Sequence, residues 1–158
     1  MEIRAFRKED AVPAAAIWNE VVREGNAFPQ DSELSADEAV SFFSSQSFTA
    51  IAEEHGRIVG LYILHPNNVG RCSHIANASY AVTSSERGRH IGEALVADSL
   101  RKAVSLGFRI LQFNAVVSSN VHARHLYERL GFTPLGTIPG GFRMGTGYED
   151  IVPYYKVL

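Results

Sequence analysis

Apolar residues in this chain switch repeatedly between a period of two and a period near 3.6, and that alternation restricts the fold more than any other feature. Ile3 to Phe6 reads as a short strand, and the spacing of Ile17, Trp18, Val21 and Val22 predicts a helix from about Ala11 to Arg23 capped by Asp10. Ser35-Ala36-Asp37-Glu38 is a capping box opening a second, short helix with Ala39, Val40, Phe42 and Phe43. Phe48–Ala52 and Ile58–Leu64 are β-rich runs, and the residues between them predict a hairpin loop longer than two residues. His74–Val82 is a third long strand, followed by a helix from Ile91 to Leu106 with Val96, Leu100, Ala103 and Val104 on its apolar stripe. After a strand at Arg109–Val116 comes the clearest helix, Val121–Leu130, where Ala123, Leu126, Tyr127 and Leu130 share one face between Asn120 and Gly131. Strands near Thr133–Ile138 and Ile151–Val157 close the chain, with Gly140, Gly141, Gly145 and Gly147 assigned to turns between them. The order β α α β β β α β α β β predicts an α/β or α+β sheet with helices on both faces, in one domain spanning residues 1–158.

Composition narrows the function classes. A chain of 158 residues, 46% hydrophobic, buries roughly 68–70% of its unfolded surface and builds one sizeable core. The net charge of -2 offers no general attraction to nucleic acid or to anionic membranes. That total conceals a split: residues 1–79 carry 6 basic and 11 acidic side chains, and residues 80–158 carry 9 basic and 6 acidic ones. An anion site confined to the second half would produce such an imbalance. The single cysteine, Cys72, excludes an internal disulfide and a cysteine-based zinc site; with a charged N-terminus it predicts a cytoplasmic protein. His122 and His125 share a helical face without a third ligand nearby, so no metal is expected.

Chemistry concentrates between Ser79 and Leu95, where a strand ends and a helix begins. Gly88 and Gly92 let backbone N–H groups converge on an anion, beside Arg87 and Arg89 and the positive end of the helix dipole. The segment lacks the Gly-Lys-Ser/Thr ending of a P-loop and the G-x-G-x-x-G of a dinucleotide fold.

Arg87-Gly88-Arg89-His90-Ile91-Gly92 resembles motif A of the GCN5-related N-acetyltransferases (GNAT family), Arg/Gln-x-x-Gly-x-Gly/Ala, with His90 where the first signature glycine is usual. Asn120 through Phe132 resembles motif B, Asn-x-x-Ala-x-x-Leu-Tyr-x-x-x-Gly-Phe, with every named position filled. Asn19-Glu20, the long loop around Phe28 and Pro139-Gly140-Gly141-Phe142-Arg143 resemble the branch containing phosphinothricin and methionine sulfoximine acetyltransferases. The resemblance implies a mixed, mostly antiparallel sheet of about seven strands, splayed parallel central strands, and about four helices on both faces.

It also implies an acetyl-CoA-dependent transferase acting on a small primary amine, an amino acid or an analogue of one, by direct attack, and a homodimer. Tyr80 and Val82 would pair with the pantetheine arm, the Val82 N–H polarising the thioester carbonyl. Arg87, Gly88, Arg89, His90, Ile91 and Gly92 would hold the pyrophosphate, and Asn120 the pantetheine. Tyr127 is implied as the general acid toward the leaving thiolate. Asn77 stands where some relatives place a catalytic Glu; it cannot ionise and would orient the amine or a relay water, while Glu86 reads as a solvated turn residue beside the phosphate loop and His74, at the start of its strand, is a candidate base. Phe28, Asn77, Phe142 and Arg143 would form the acceptor pocket, and Ile151–Val157 would be a sheet edge available for pairing. A protein N-terminal or lysine acetyltransferase and a non-catalytic acyl-CoA sensor are the competing readings.

Overall fold

Side-chain alternation along the central strands sorts the core onto two faces of one sheet. The computed structural model describes residues 1–158. In chain order the elements are β1 (Glu2–Ala5), α1 (Ala11–Glu24), α2 (Ala36–Ser44), β2 (Phe48–Glu54), β3 (Arg57–Pro66), β4 (Ile75–Val82), α3 (Ile91–Ser105), β5 (Ile110–Val117), α4 (Val121–Arg129), β6 (Thr133–Pro134), β7 (Ile138–Met144) and β8 (Gly147–Val157). Leu61 and Ile63 of β3, with Ile51 of β2 and Ala81 of β4, pack under α1 and α2 around Trp18 and Phe43. Their strand neighbours Tyr62, Leu64, Ala76 and Ala78 face the opposite way, against Ile91, Leu95, Val96 and Ala103 of α3. Leu126, Tyr127 and Leu130 of α4 pack on that second face.

The eight strands run in the order β1-β2-β3-β4-β5-β8-β6, with β7 also paired to β8. Only β4 and β5 are parallel. The expected α/β architecture, with four helices on both faces of a mostly antiparallel sheet, is therefore present. No helix is long and apolar enough to cross a membrane.

Several local expectations change. The β2–β3 hairpin closes through two residues, because His55 (φ 51) and Gly56 (φ 74) both adopt the positive φ that a type I′ turn requires. Asp10 makes no side-chain cap on α1; its carboxylate instead accepts from the Arg4 guanidinium and the Arg7 N–H. On α3 the buried stripe runs through Leu95, Val96, Ser99 and Ala103, leaving Val104 exposed. Gly140 and Gly141 lie inside β7 rather than in a turn, where a Cβ on Gly141 would sit 2.5 Å from the Ile151 side chain. β8 is no edge: β5 lies on one side of it and β6 and β7 on the other.

Gly60 brings α3 close to the sheet. A Cβ there would lie 2.9 Å from the Ala81 carbonyl oxygen and 3.2 Å from Leu95, so only glycine lets β3 and β4 pass beneath the first turns of α3. That approach places the N-terminus of α3 at the C-terminal end of β4.

Candidate active site

The central strands part because little holds them together. β4 and β5 pair only at Ile75↔Ile110 and Ala76↔Leu111. At the next position the Asn77 side chain intervenes, its Nδ2 donating to the Gln112 carbonyl at 3.0 Å. Beyond it a register shift between Phe113 and Val116 bends β5 against β8. On its other flank β4 stays paired with β3 from Pro66↔Ala76 to Gly60↔Val82. The Thr83 N–H donates to the Val59 carbonyl at 3.0 Å, so by alternation the backbone groups of Ala78, Tyr80 and Val82 face away from β3 and into the gap. A cavity of about 800 Å³ opens there, lined by β4, β5, the loop after β4, α4 and the segment following α1.

At the end of β4 a short 3₁₀ turn, Ser84–Glu86, is clamped from α1: Glu20 accepts from the Ser84 N–H at 3.2 Å and the Thr83 hydroxyl at 3.3 Å. Hydrogen bonds from Ser84 hold the Glu20 carboxyl below the usual carboxylate range. Gly88 (φ 79) and His90 (φ 61) are both left-handed, and the backbone N–H groups from Gly88 to Gly92 have no acceptor within the protein. Unpaired donors at a helix start, reinforced by its dipole, form an anion cradle. The left-handed φ at His90 explains why glycine suits this position, since an L side chain costs roughly 1–2 kcal/mol there. The imidazole turns outward, 82% exposed, with Nδ1 3.1 Å from Glu93 Oε2. His90 and Arg129 together hold the Glu93 carboxyl below its usual range.

The two arginines are engaged. Arg87 donates from Nε to the Val82 carbonyl at 3.2 Å and pairs through Nη2 with Glu24 at 2.8 Å. Arg89 pairs with Glu54 at 2.8 Å and with Glu86, and lies outside the cavity wall that Arg87 helps form. The acidic first half of the chain thus supplies a carboxylate to each of these two arginines.

α4 supplies the opposite wall. Asn120 caps it through Oδ1, which accepts from the Ala123 N–H at 3.2 Å, leaving the Nδ2 donor free on the cavity side. Ala123, Leu126 and Tyr127 line the cavity, which is why the apolar stripe of α4 is only half-buried. Tyr127 packs on Phe113 (centroids 4.4 Å apart) and Phe132 (5.7 Å). Its hydroxyl has no hydrogen-bond partner in the protein and is not sealed from solvent, whereas burial of the ring pushes the phenol pKa upward. Tyr80 differs: Ser99 gives its own proton to the Val96 carbonyl, so the Tyr80 hydroxyl donates to Ser99 Oγ at 2.8 Å and is anchored under α3.

A family model for the acetyltransferase (GNAT) family matches residues 15–132. The chain belongs to the GNAT family. N-acetyltransferase aca1 of Schizosaccharomyces pombe is 30% identical over 154 residues, covering 87% of this chain and 73% of the relative. A putative phosphinothricin acetyltransferase, YwnH, of Bacillus subtilis is 24% identical over 145 residues, covering 89% and 88%. The solved structure of a GCN5-related N-acetyltransferase from Kribbella flavida superimposes with a TM-score of 0.91 at 33% identity, covering 99% of this chain and 97% of that one.

This GNAT protein is an acetyl-CoA-dependent acyltransferase, and its residues fit that co-substrate. Free N–H groups at Gly88–Gly92 suit a pyrophosphate, and the gap-facing groups of Ala78 and Tyr80 with the Val82 N–H suit an amide-containing arm. Of the residues expected from sequence, Tyr80, Val82, Arg87, Gly88, His90, Ile91, Gly92, Asn120, Tyr127, Asn77 and Phe28 line the cavity. Arg89 does not. Phe142 lies apart, 8% exposed between Val117 and Ile151, because its strand residue points into that small core. Arg143 is exposed and lies 3.7 Å from Asp31 in the segment after α1. His74 is exposed outside the wall, and Glu86 is tied to Arg89.

Sequence reasoning named Asn19 only as part of the family resemblance, without its role, and missed His65. Asn19 accepts from the Leu34 N–H at 2.8 Å and donates to its carbonyl at 2.9 Å, pinning the segment that carries Phe28. His65 lines the cavity opposite Asn77 on the neighbouring strand. No local motif marks it, because only the β3–β4 register brings it there.

Proposed function

We propose that this protein acetylates the primary amine of a small molecule, an amino acid or an analogue of one, by direct attack within a ternary complex. The observation that carries this reading is the covered acceptor side: the Asn26–Gln30 segment lines the cavity, held down by Asn19 and by Phe28 packed at a tilt on Trp18, ring centroids 4.3 Å apart. A protein substrate calls for an open groove there. Exposed Cys72 lies outside the cavity wall, which favours direct transfer over an acyl-enzyme.

Acetyl-CoA supplies an activated acetyl group whose leaving group is a thiolate. The cradle at Gly88–Gly92 binds the pyrophosphate, Asn120 Nδ2 and the gap-facing edge of β4, the Val82 N–H included, orient the pantetheine, and the Tyr80 N–H, rather than the Val82 N–H expected from sequence, polarises the thioester carbonyl. Tyr127 remains a protonated phenol and donates to the sulfur as charge develops on it. The desolvation that raises the phenol pKa raises the thiol's as well, which limits the mismatch between donor and acceptor. Asn77, an amide that cannot ionise, holds the fork of the strands through Nδ2, and its Oδ1 is left to orient the amine or a relay water.

The test is acceptor-dependent thiol release from acetyl-CoA across amino acids, their analogues, polyamines and peptides. Turnover with free amino acids or analogues is expected. Turnover with peptides alone refutes the small-molecule reading, and binding without turnover identifies a sensor. In the same assay Arg87→Ala should weaken acetyl-CoA binding about 10-fold, whereas Arg89→Ala should change it less than about threefold, because only Arg87 reaches the cavity.

The same reading includes one domain over residues 1–158, a cytoplasmic location and a homodimer. Exposed Leu135, Ile138 and Tyr148 at the β6–β8 end support a self-association surface, which sedimentation equilibrium would test.

A further inference from the structure

We propose that His65 is the general base that removes the proton from the acceptor amine. The inference rests on the acetyltransfer reading above and extends it to the group that sequence left unassigned. His65 lies directly across from Asn77 in the β3–β4 register, and both line the cavity. Cross-strand neighbours share a face, and by alternation this is the face of Leu61, Ile63, Ala81 and Phe28, beneath α1 and α2. Tyr127 packs against the opposite face. Base and acid therefore flank the parted strands from two sides, the base beside the acceptor segment and the acid beside α4.

The tautomer suits the task. His65 Nδ1 lies 3.0 Å from the Pro66 carbonyl oxygen, which can only accept, so Nδ1 carries the proton and the lone pair resides on Nε2. The nearest gap-facing backbone positions, Ala78 and Tyr80, are one and three residues along the strand from Asn77, roughly 3 and 10 Å. An amine seated between them is within reach of the imidazole, directly or across one water. His65 faces the neutral amide of Asn77 across the β3–β4 pair, and the wall carries further neutral amides at Asn114 on β5 and at Asn26 and Gln30 of the segment after α1. The other ionisable side chains of the wall lie on α1, the anion loop, α3 and α4: Glu24 at the end of α1 is paired to Arg87, Glu86 to Arg89, and Glu93 of α3 to Arg129 and His90, with His122 on α4.

An aliphatic ammonium, titrating near 10.4, gives one proton to Nε2 and becomes nucleophilic. The neutral amine then forms a C–N bond to the acetyl carbon as the C–S bond breaks. The thiolate takes a proton from Tyr127, which recovers one from the acylated nitrogen through solvent, and the proton on His65 passes to bulk water. The balance is ammonium plus thioester giving amide, thiol and one proton.

The deciding experiment measures kcat/KM from pH 5.5 to 9.5 for wild type and His65→Gln, with an acceptor from the thiol-release panel, alongside calorimetric binding of acetyl-CoA. Wild type should reach a plateau above an acid limb of unit slope, as protonation of the base produces. His65→Gln should lose about 100-fold at pH 7, and its rate should rise with unit slope toward the amine's own pKa while acetyl-CoA affinity stays within about threefold. A variant profile parallel to wild type and within threefold of it overturns the base assignment alone. Absence of amine-dependent release by wild type overturns the acetyltransfer reading and the base with it. NMR titration of His65 in the wild-type protein guards against a misfolded variant: its midpoint should match the acid limb, and a mismatch of a full pH unit overturns the proposal.

Discussion

Tyr127→Phe is expected to lower kcat about 100-fold or more while leaving acetyl-CoA affinity within about threefold. The ring would keep its packing on Phe113 and Phe132, and the hydroxyl that is lost has no partner in the protein, so no buried group is orphaned. Denaturation midpoints of variant and wild type should therefore coincide. Tyr154 provides the contrast, because its hydroxyl donates to Glu128 at 2.8 Å and accepts from Arg124 at 3.1 Å, and its loss would be felt in stability. Because burial raises the Tyr127 phenol above its ordinary value near 10, it stays protonated throughout the assay range. An unchanged kcat would remove it as the acid, and a kcat loss matched by an equal loss of acetyl-CoA binding would make it a binding residue instead.

The largest stability effect is expected at Asp10. Its carboxylate, 5% exposed as a residue, accepts from Arg4 Nη1 and Nη2 at 2.8 and 2.9 Å and from the Arg7 N–H at 2.7 Å, while Arg4 Nε donates to Glu53 at 2.8 Å. These bonds tie β1, the start of α1 and β2 together. Asp10→Asn leaves the guanidinium with Glu53 as its only carboxylate and should cost about 2 kcal/mol, less than the 3–5 typical when a buried charge loses its only partner. In a chain of this size that lowers Tm by roughly 4–8 °C. Arg4 holds the Asp10 carboxyl below the usual carboxylate range. A depressed folded-state pKa adds stability that is full above about pH 3.9 and disappears as pH falls through the folded value. Urea unfolding at pH 7 and pH 3 should therefore show a smaller acid-induced loss for Asp10→Asn than for wild type. Equal losses would show that Asp10 contributes nothing to acid sensitivity.

The uneven charge of the two halves illustrates how far composition reaches. It pointed to an anion site in the second half, and the cradle at Gly88–Gly92 lies there. The agents differ from those expected, however. Arg87 and Arg89 are paired with Glu24, Glu54 and Glu86, two of them from the acidic half, so unpaired backbone donors and the dipole of α3 carry much of the attraction. Folding places opposite charges together, and a count along the chain is blind to that.

Local devices were legible because their physics spans only a few residues. The Ser35 capping box, the Asn120 cap and the strand-to-helix turn at Gly88–Gly92 each depend on side-chain or backbone groups within about four positions. The order of elements followed from periodicity, and two spaced motifs were enough to indicate the family. Tertiary structure decided what depends on register and on neighbours distant in sequence. It set His65 across from Asn77, turned Phe142 into a small core rather than the pocket, made β8 an interior strand, and gave Asn77 the Gln112 carbonyl to hold. Strand pairing joins residues 12 positions apart at His65 and 34 to 47 apart between β5 and β8, and a shift of one residue would reverse every face. Periodicity tells which residues alternate; only the assembled sheet tells which of them meet.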